Sequence, residues 1–194
     1  MPQPDHIIAL EMPDDITLES HLDEDFQKYF SICREKIGFV PNVLKAYAIK
    51  PQRLKTFANF YNELMLGESG LSKLEREMIA VVVSSINRCY YCLVAHGQAV
   101  RAMSGDPELG EILAINYRIA DLSEKHQSML QFTEKLTREP YKVSDADREK
   151  LKSIGFTESD IFDIFEVAAF FNMTNRMASA LDMMPNKEYH KLDR

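Results

Sequence analysis

Residues 78–86 read Met-Ile-Ala-Val-Val-Val-Ser-Ser-Ile, apolar on nearly every side of a helix, and Ser72 stands before them with Glu75 three positions later. Serine and glutamate at that spacing exchange hydrogen bonds across the first turn, so the pair predicts where this helix begins. A helix with no wet face needs neighbours all round it, which predicts a bundle with this segment at its centre. The remaining sequence supplies those neighbours. Its apolar residues recur with helical period almost throughout, and no segment alternates as a half-buried strand would. A first helix is predicted over about residues 21–36 with Gly38 as its stop, followed by a short helix whose first position suits Pro41. Pro51 opens a longer one with Leu54, Phe57, Ala58, Tyr61, Leu64 and Met65 on one face. An amphipathic run to about Met103 is closed by Gly105, Pro107 opens a short helix, Ser123 caps another, and Ser144 with Asp147 and Thr157 with Asp160 read as two further caps. The last helix, about residues 158–183, is too apolar for a wet face and belongs in the core or in a subunit interface.

The expected fold is therefore all-α, a multi-helix bundle forming a single domain over residues 1–194. Within it, residues 1–18 read as an extended arm rich in proline, residues 72–103 as the central core, and residues 157–184 as the long buried C-terminal helix. With 194 residues, 45% of them hydrophobic, the chain can bury a core without disulfide or metal staples. Thirty acidic residues against 23 basic ones, and no basic tract, argue against a nucleic-acid partner. No apolar run approaches the roughly 18 residues of a membrane span. The N-terminal segment is acidic and lacks lysine and arginine, unlike a secretory leader. Three cysteines are too few, and too odd in number, for a secreted disulfide framework, so a reducing cytoplasmic setting is expected. The ten methionines read as core filler and interface rather than as metal ligands.

Chemistry enters with Cys89-Tyr90-Tyr91-Cys92 and His96. On a helix these positions, i, i+3 and i+7, project Cys89, Cys92 and His96 from one face within about two turns. A dithiol so spaced can close a disulfide. If Cys89 begins the helix, the break at Asn87-Arg88 leaves it beside unpaired N–H groups that favour thiolate. His96 can move the proton that thiolate chemistry displaces. Glu77 is the candidate fourth member. In one unbroken helix it lies about 18 Å from Cys89, too far for contact; a chain reversal near Asn87 would bring it beside His96, where it would orient the imidazole. The plain alternative is a solvated glutamate in a first helical turn. Two other readings of the cysteines stay open: zinc ligands together with His96, with Cys33 as a distant fourth, or small inert core residues. Cys33 itself reads as core. In the C-terminal helix Asn172, Asn175 and Arg176 make a polar stripe, either a solvated face or the lining of a pocket or subunit seam.

The string from Glu77 through Cys89-Tyr90-Tyr91-Cys92 to His96 resembles the core motif of the alkylhydroperoxidase D-like proteins of the carboxymuconolactone decarboxylase superfamily: Glu, eleven residues, Cys-x-x-Cys, three residues, His. Val40-Pro41-Asn42-Val43 with Pro51, and the segment Phe170-Phe171-Asn172-Met173-Thr174-Asn175-Arg176-Met177-Ala178, are similar to the peroxidase-related branch, so that the resemblance spans about residues 39–183. It implies a thiol-dependent hydroperoxide reductase with no bound cofactor or metal. Cys92 would attack the peroxide and become a sulfenic acid, and Cys89 would condense with it to a redox-active disulfide. Glu77 and His96 would form the proton relay, and an external dithiol, such as a lipoyl group on a partner protein, would supply electrons. The hydroperoxidase proper carries a histidine where this chain has Tyr91, which is a candidate pocket or interface residue. The resemblance also implies a homo-oligomer, and it leaves lactone decarboxylation, the superfamily's other activity, as an alternative, although members with that activity as a rule lack the cysteine pair.

Overall fold

The computed structural model describes residues 4–194, and all regular structure among them is helical. Helices α1 (Asp15–Ser20), α2 (Glu24–Ile37), α3 (Asn42–Ala48) and α4 (Pro51–Leu66) precede the central α5 (Lys73–Ile86). After it come α6 (Tyr90–Ser104), α7 (Leu109–Asn116), α8 (Glu124–Arg138), α9 (Asp145–Ser153) and α10 (Glu158–Ala180). The expected all-α fold is what forms, with α5 packed against α4, α6, α7, α8 and α10. Every residue of α5 from Met78 to Ser84 is buried. Leu71, Met129, Leu130, Ile164, Val167 and Phe171 close around it.

Local chemistry sets the helix boundaries. Ser72 and Glu75 form the predicted reciprocal cap, as do Ser144 with Asp147 and Thr157 with Asp160, while the Ser123 hydroxyl accepts from the His126 N–H. Gly38 and Gly105 end α2 and α6 in the left-handed conformation, at φ 86° and 68°, where glycine carries no Cβ penalty. Pro41 is the residue before α3 rather than its first turn.

The N-terminal segment departs from the expectation of an arm to residue 18. The Asp14 carboxylate accepts from the Thr17 N–H and caps the short helix α1, which buries Leu18. Residues 1–3 of the expected arm lie outside the described residues. From residue 4 to Asp14 the chain has no regular structure, bends at residues 7–10, and is pinned across the segment that follows α10, with Ala9 N–H donating to Leu181 O at 2.7 Å and Met184 N–H to Ile7 O at 2.9 Å. A 3₁₀ turn, Lys187–His190, then lays Tyr189 back against Phe39 and α6. Among the described residues no helix is long and apolar enough to cross a membrane.

Candidate active site

The reversal between α5 and α6 decides the site. Helix α5 ends at Ile86, Arg88 takes a left-handed conformation at φ 55°, and the Cys89 N–H returns to Ser84 O at 2.9 Å. Asn87 ties this corner to α10 by donating to the side-chain oxygens of Asn172 and Asn175 at 3.1 and 3.0 Å. Helix α6 runs back along α5, which carries His96 past the corner to Glu77. Their Nδ1 and Oε2 atoms are 2.6 Å apart, and Glu77 is 3% exposed. The solvated-glutamate alternative therefore does not hold: this carboxylate is buried and its partner is an imidazole. With Nδ1 bound to Glu77, Nε2 is the ring nitrogen left for other chemistry, and the edge-to-face contact with Phe171 at 4.6 Å holds the ring plane.

Both cysteines are buried free thiols. Cys89 occupies the N-cap position of α6 and Cys92 lies one turn in. Their protons are shared unequally. The Cys89 thiol is pulled down to about 7, first because it accepts a hydrogen bond from the Cys92 thiol, and further by the Cys92 backbone N–H, the His96 ring and the Ser179 hydroxyl; burial opposes the shift. The Cys92 thiol is pushed well up by that same hydrogen bond, by burial and by the charge on Cys89, against smaller opposing contacts from Asn175 and Ser84. Of the two, Cys89 is therefore the more acidic thiol, with Cys92 as its hydrogen-bond donor.

The site opens into two hollows. The larger, about 490 Å³, is lined by Glu77, Cys92, His96 and Tyr91 and walled by Phe57, Tyr61, Phe170, Phe171 and Tyr189. Burial pushes the Tyr61, Tyr91 and Tyr189 hydroxyls far above their ordinary range, so they act as neutral donors and acceptors. Tyr91 accepts from the Val43 N–H at 3.1 Å and hydrogen-bonds Tyr189. The smaller hollow, about 230 Å³, takes in Cys89 and Arg88.

The structure brings Glu77, Cys89, Cys92 and His96 together and puts Tyr91 between the two hollows. Asn172, Asn175 and Arg176 are absent from the walls of both, which corrects the pocket reading for all three. Asn172 spans from Asn87 to Thr137, Arg176 folds back onto Asn172, and Asn175 donates to the Ser84 hydroxyl at 3.0 Å while reaching Cys92. They form a polar seam that fixes the corner behind the dithiol. Cys33, expected in the core, is half-buried at the edge of the larger hollow, where burial raises its thiol. Among the described residues no group of three or more His, Cys, Asp or Glu side chains is arranged to hold a metal ion. Tyr91, a candidate pocket or interface residue from the sequence, lines both hollows, whereas sequence reasoning missed Tyr61 and Tyr189. Tyr61 carried a signal, as part of the predicted apolar face of α4, whereas Tyr189 lies in a segment with no helical period and carried none.

Comparison with known proteins gives consistent results. Residues 51–134 match the model of the Carboxymuconolactone decarboxylase family. The chain is 58% identical to an uncharacterized peroxidase-related protein from Silicibacter sp. TM1040, with a TM-score of 0.93 and 100% of both chains covered. It is 36% identical to an uncharacterized peroxidase-related protein from Ralstonia eutropha JMP134, described as an alkylhydroperoxidase AhpD core, with a TM-score of 0.92 and 98% of each chain covered. The debrominase Bmp8 in complex with 2,3,4-tribromopyrrole shares the fold at 15% identity and a TM-score of 0.75, over 95% of this chain and 94% of that one. No match was found among curated proteins.

Proposed function

The chain belongs to the alkylhydroperoxidase D-like proteins of the carboxymuconolactone decarboxylase superfamily, in their peroxidase-related branch, and on that premise we propose that it reduces hydroperoxides through a Cys89–Cys92 dithiol/disulfide cycle. The observation that carries this reading is the grouping of Cys92 with the buried His96–Glu77 pair on one cavity, with Cys89 coupled to Cys92 from behind.

The chemistry balances with these residues alone. Cys92 attacks the terminal oxygen of the hydroperoxide, and the Cys89 thiolate, already the acceptor of its hydrogen bond, takes the Cys92 proton. The O–O bond breaks and the departing alkoxide is protonated from the His96–Glu77 pair, giving alcohol and Cys92 sulfenic acid. Cys89 then attacks the Cys92 sulfur, water leaves with the Cys89 proton, and the disulfide forms. An apolar, aromatic cavity of this size suits the organic part of an alkyl or aryl hydroperoxide and keeps water from the reacting sulfur. Electrons return from an external dithiol, a lipoyl group being the candidate. A cytoplasmic setting would keep such a dithiol reduced.

Self-association belongs to the same reading. Phe162, Met173 and Met177 stand exposed along α10, with Phe60 of α4 exposed as well, an apolar surface suited to a second copy. Sedimentation would show an oligomer, and a monomer would refute it.

The test is a rapid-mixing experiment in which reduced enzyme meets one equivalent of an organic hydroperoxide, with and without dimedone, followed by mass mapping. The expected results are loss of two thiols, a dimedone adduct on Cys92, and no turnover in Cys92→Ser. Turnover unchanged in Cys92→Ser would overturn the proposal.

A further inference from the structure

The two thiols look into different spaces. Cys92 lines the large cavity and Cys89 does not; Cys89 lines the smaller hollow and Cys92 does not. Only Tyr91 and Ala178 belong to both, so these two residues stand at the boundary between the hollows. The smaller hollow differs in character. Arg88, Ser179 and Asp182 line it together with Met184, and the Cys89 sulfur is hydrogen-bonded to the Ser179 hydroxyl on its wall. The left-handed turn at Arg88 holds this corner, and Arg88 itself is exposed at the rim.

From this arrangement we infer that the dithiol is served from two sides, with hydroperoxide reacting at Cys92 in the large cavity and the reducing thiol entering the second hollow to attack Cys89. The inference rests on the dithiol cycle proposed above. Stereochemistry supports the division. Thiol–disulfide exchange needs the incoming sulfur in line with the bond it breaks, so attack on Cys89 must come from the side facing away from Cys92, and the second hollow takes in Cys89 without Cys92. The reductant's thiolate bonds to the Cys89 sulfur and the Cys89–Cys92 bond breaks. Cys92 then leaves with the electron pair and takes up a proton. The donor's second thiol attacks its own sulfur in this mixed disulfide and expels Cys89 as thiolate. The donor departs as a cyclic disulfide, oxidised by two electrons, and the enzyme's dithiol is restored. A reductant fitted to about 230 Å³ is a slender alkyl dithiol.

Leaving-group strength does not oppose this order. Cys92 is the weaker acid in the resting enzyme chiefly because it donates to, and faces the charge of, Cys89. Both effects vanish once Cys89 is tied up in a mixed disulfide, while the contacts from Asn175 and Ser84 remain to stabilise Cys92 as thiolate. Cys89 as leaving group would lose the hydrogen bond that contributes most to its own acidity.

The test starts from disulfide made with diamide, so it stands whether or not hydroperoxide oxidises the protein. Reduction by dithiothreitol is followed in one turnover. Ser179→Phe, which fills the second hollow, is expected to slow reduction about tenfold or more, and Ala99→Phe, in the wall of the large cavity, to leave it within about twofold. In parallel, oxidised wild-type protein is treated with mercaptoethanol, quenched in acid and mapped by mass spectrometry. An adduct on Cys89 is expected. An adduct on Cys92, or reduction slowed by Ala99→Phe and not by Ser179→Phe, would overturn the inference. Failure of hydroperoxide to oxidise the dithiol, with reduction behaving as described, would instead count against the proposed function alone.

Discussion

Replacing Cys92 by alanine removes the hydrogen bond that contributes most to the acidity of Cys89 while leaving the Cys89 side chain in place. What remains is the amide of residue 92, the charge of His96 and the Ser179 hydroxyl, set against burial that favours the neutral thiol. The wild-type thiol should titrate near 7. In Cys92→Ala it should rise by at least about one pH unit, a loss of about 1.4 kcal/mol of differential stabilisation of the thiolate. The midpoint is the observable to follow, because the rate at a single pH hides most of the effect. A rise of one unit lowers the thiolate fraction at neutral pH about fivefold, but the more basic sulfur is about threefold more nucleophilic, so alkylation slows only about twofold. Thiolate ultraviolet absorbance, or the pH profile of iodoacetamide alkylation mapped to Cys89, reads the midpoint directly. The sign for stability follows as well. A thiol whose folded value lies below its unfolded one stabilises the fold above the unfolded value, and that contribution is lost as pH falls through about 7. An unchanged midpoint in Cys92→Ala, or a wild-type midpoint at the ordinary thiol value of 9.0, would refute the assignment of Cys89 as the more acidic thiol, held so by Cys92.

Further substitutions probe the relay and the frame that holds it. Glu77→Gln keeps a side-chain oxygen for the His96 Nδ1–H but removes the charge, so oxidation of the dithiol by hydroperoxide should slow by about 10²-fold with a stability loss of only about 1 kcal/mol; an unaltered single-turnover rate would remove Glu77 from the relay. Arg76 is 3% exposed and its Nη1 donates to Leu64 O at 2.9 Å and Gly67 O at 3.1 Å, binding the end of α4 to α5. Arg76→Met strands both carbonyls and should cost about 2–4 kcal/mol by urea denaturation, whereas a midpoint equal to the wild type would show that the fold does not need them. At Gly110 an added Cβ would lie 2.6 Å from the Gly97 carbonyl oxygen, so Gly110→Ala must open the crossing of α6 and α7 and should lower stability by about 1–3 kcal/mol; calorimetry showing no change would mean that the crossing relaxes freely.

Much of this molecule was readable from residues that act on near neighbours. Ser72 with Glu75, Ser123, and Thr157 with Asp160 mark helix starts because a cap is made within three or four positions of itself. The uniform apolarity of residues 78–86 required a central helix, and Cys89, Cys92 and His96 declared themselves because their spacing is itself a geometry once a helix is granted. Asp14 carried a cap signal of the same local kind, but the prolines around it read as an arm and α1 went unseen.

Tertiary structure alone decided the rest. Glu77 reaches His96 only because Arg88 turns the chain back on itself. Asn172 and Arg176 brace that corner instead of lining a pocket, since their direction follows from how α10 rotates against α5, which the near-uniform apolarity of α10 leaves open. Tyr189 joins the cavity from far along the chain, and Tyr91 and Ala178, from different helices, stand at the boundary between the hollows that take in Cys92 and Cys89. A cavity wall depends on which surfaces of distant segments meet, and helical periodicity carries no record of that.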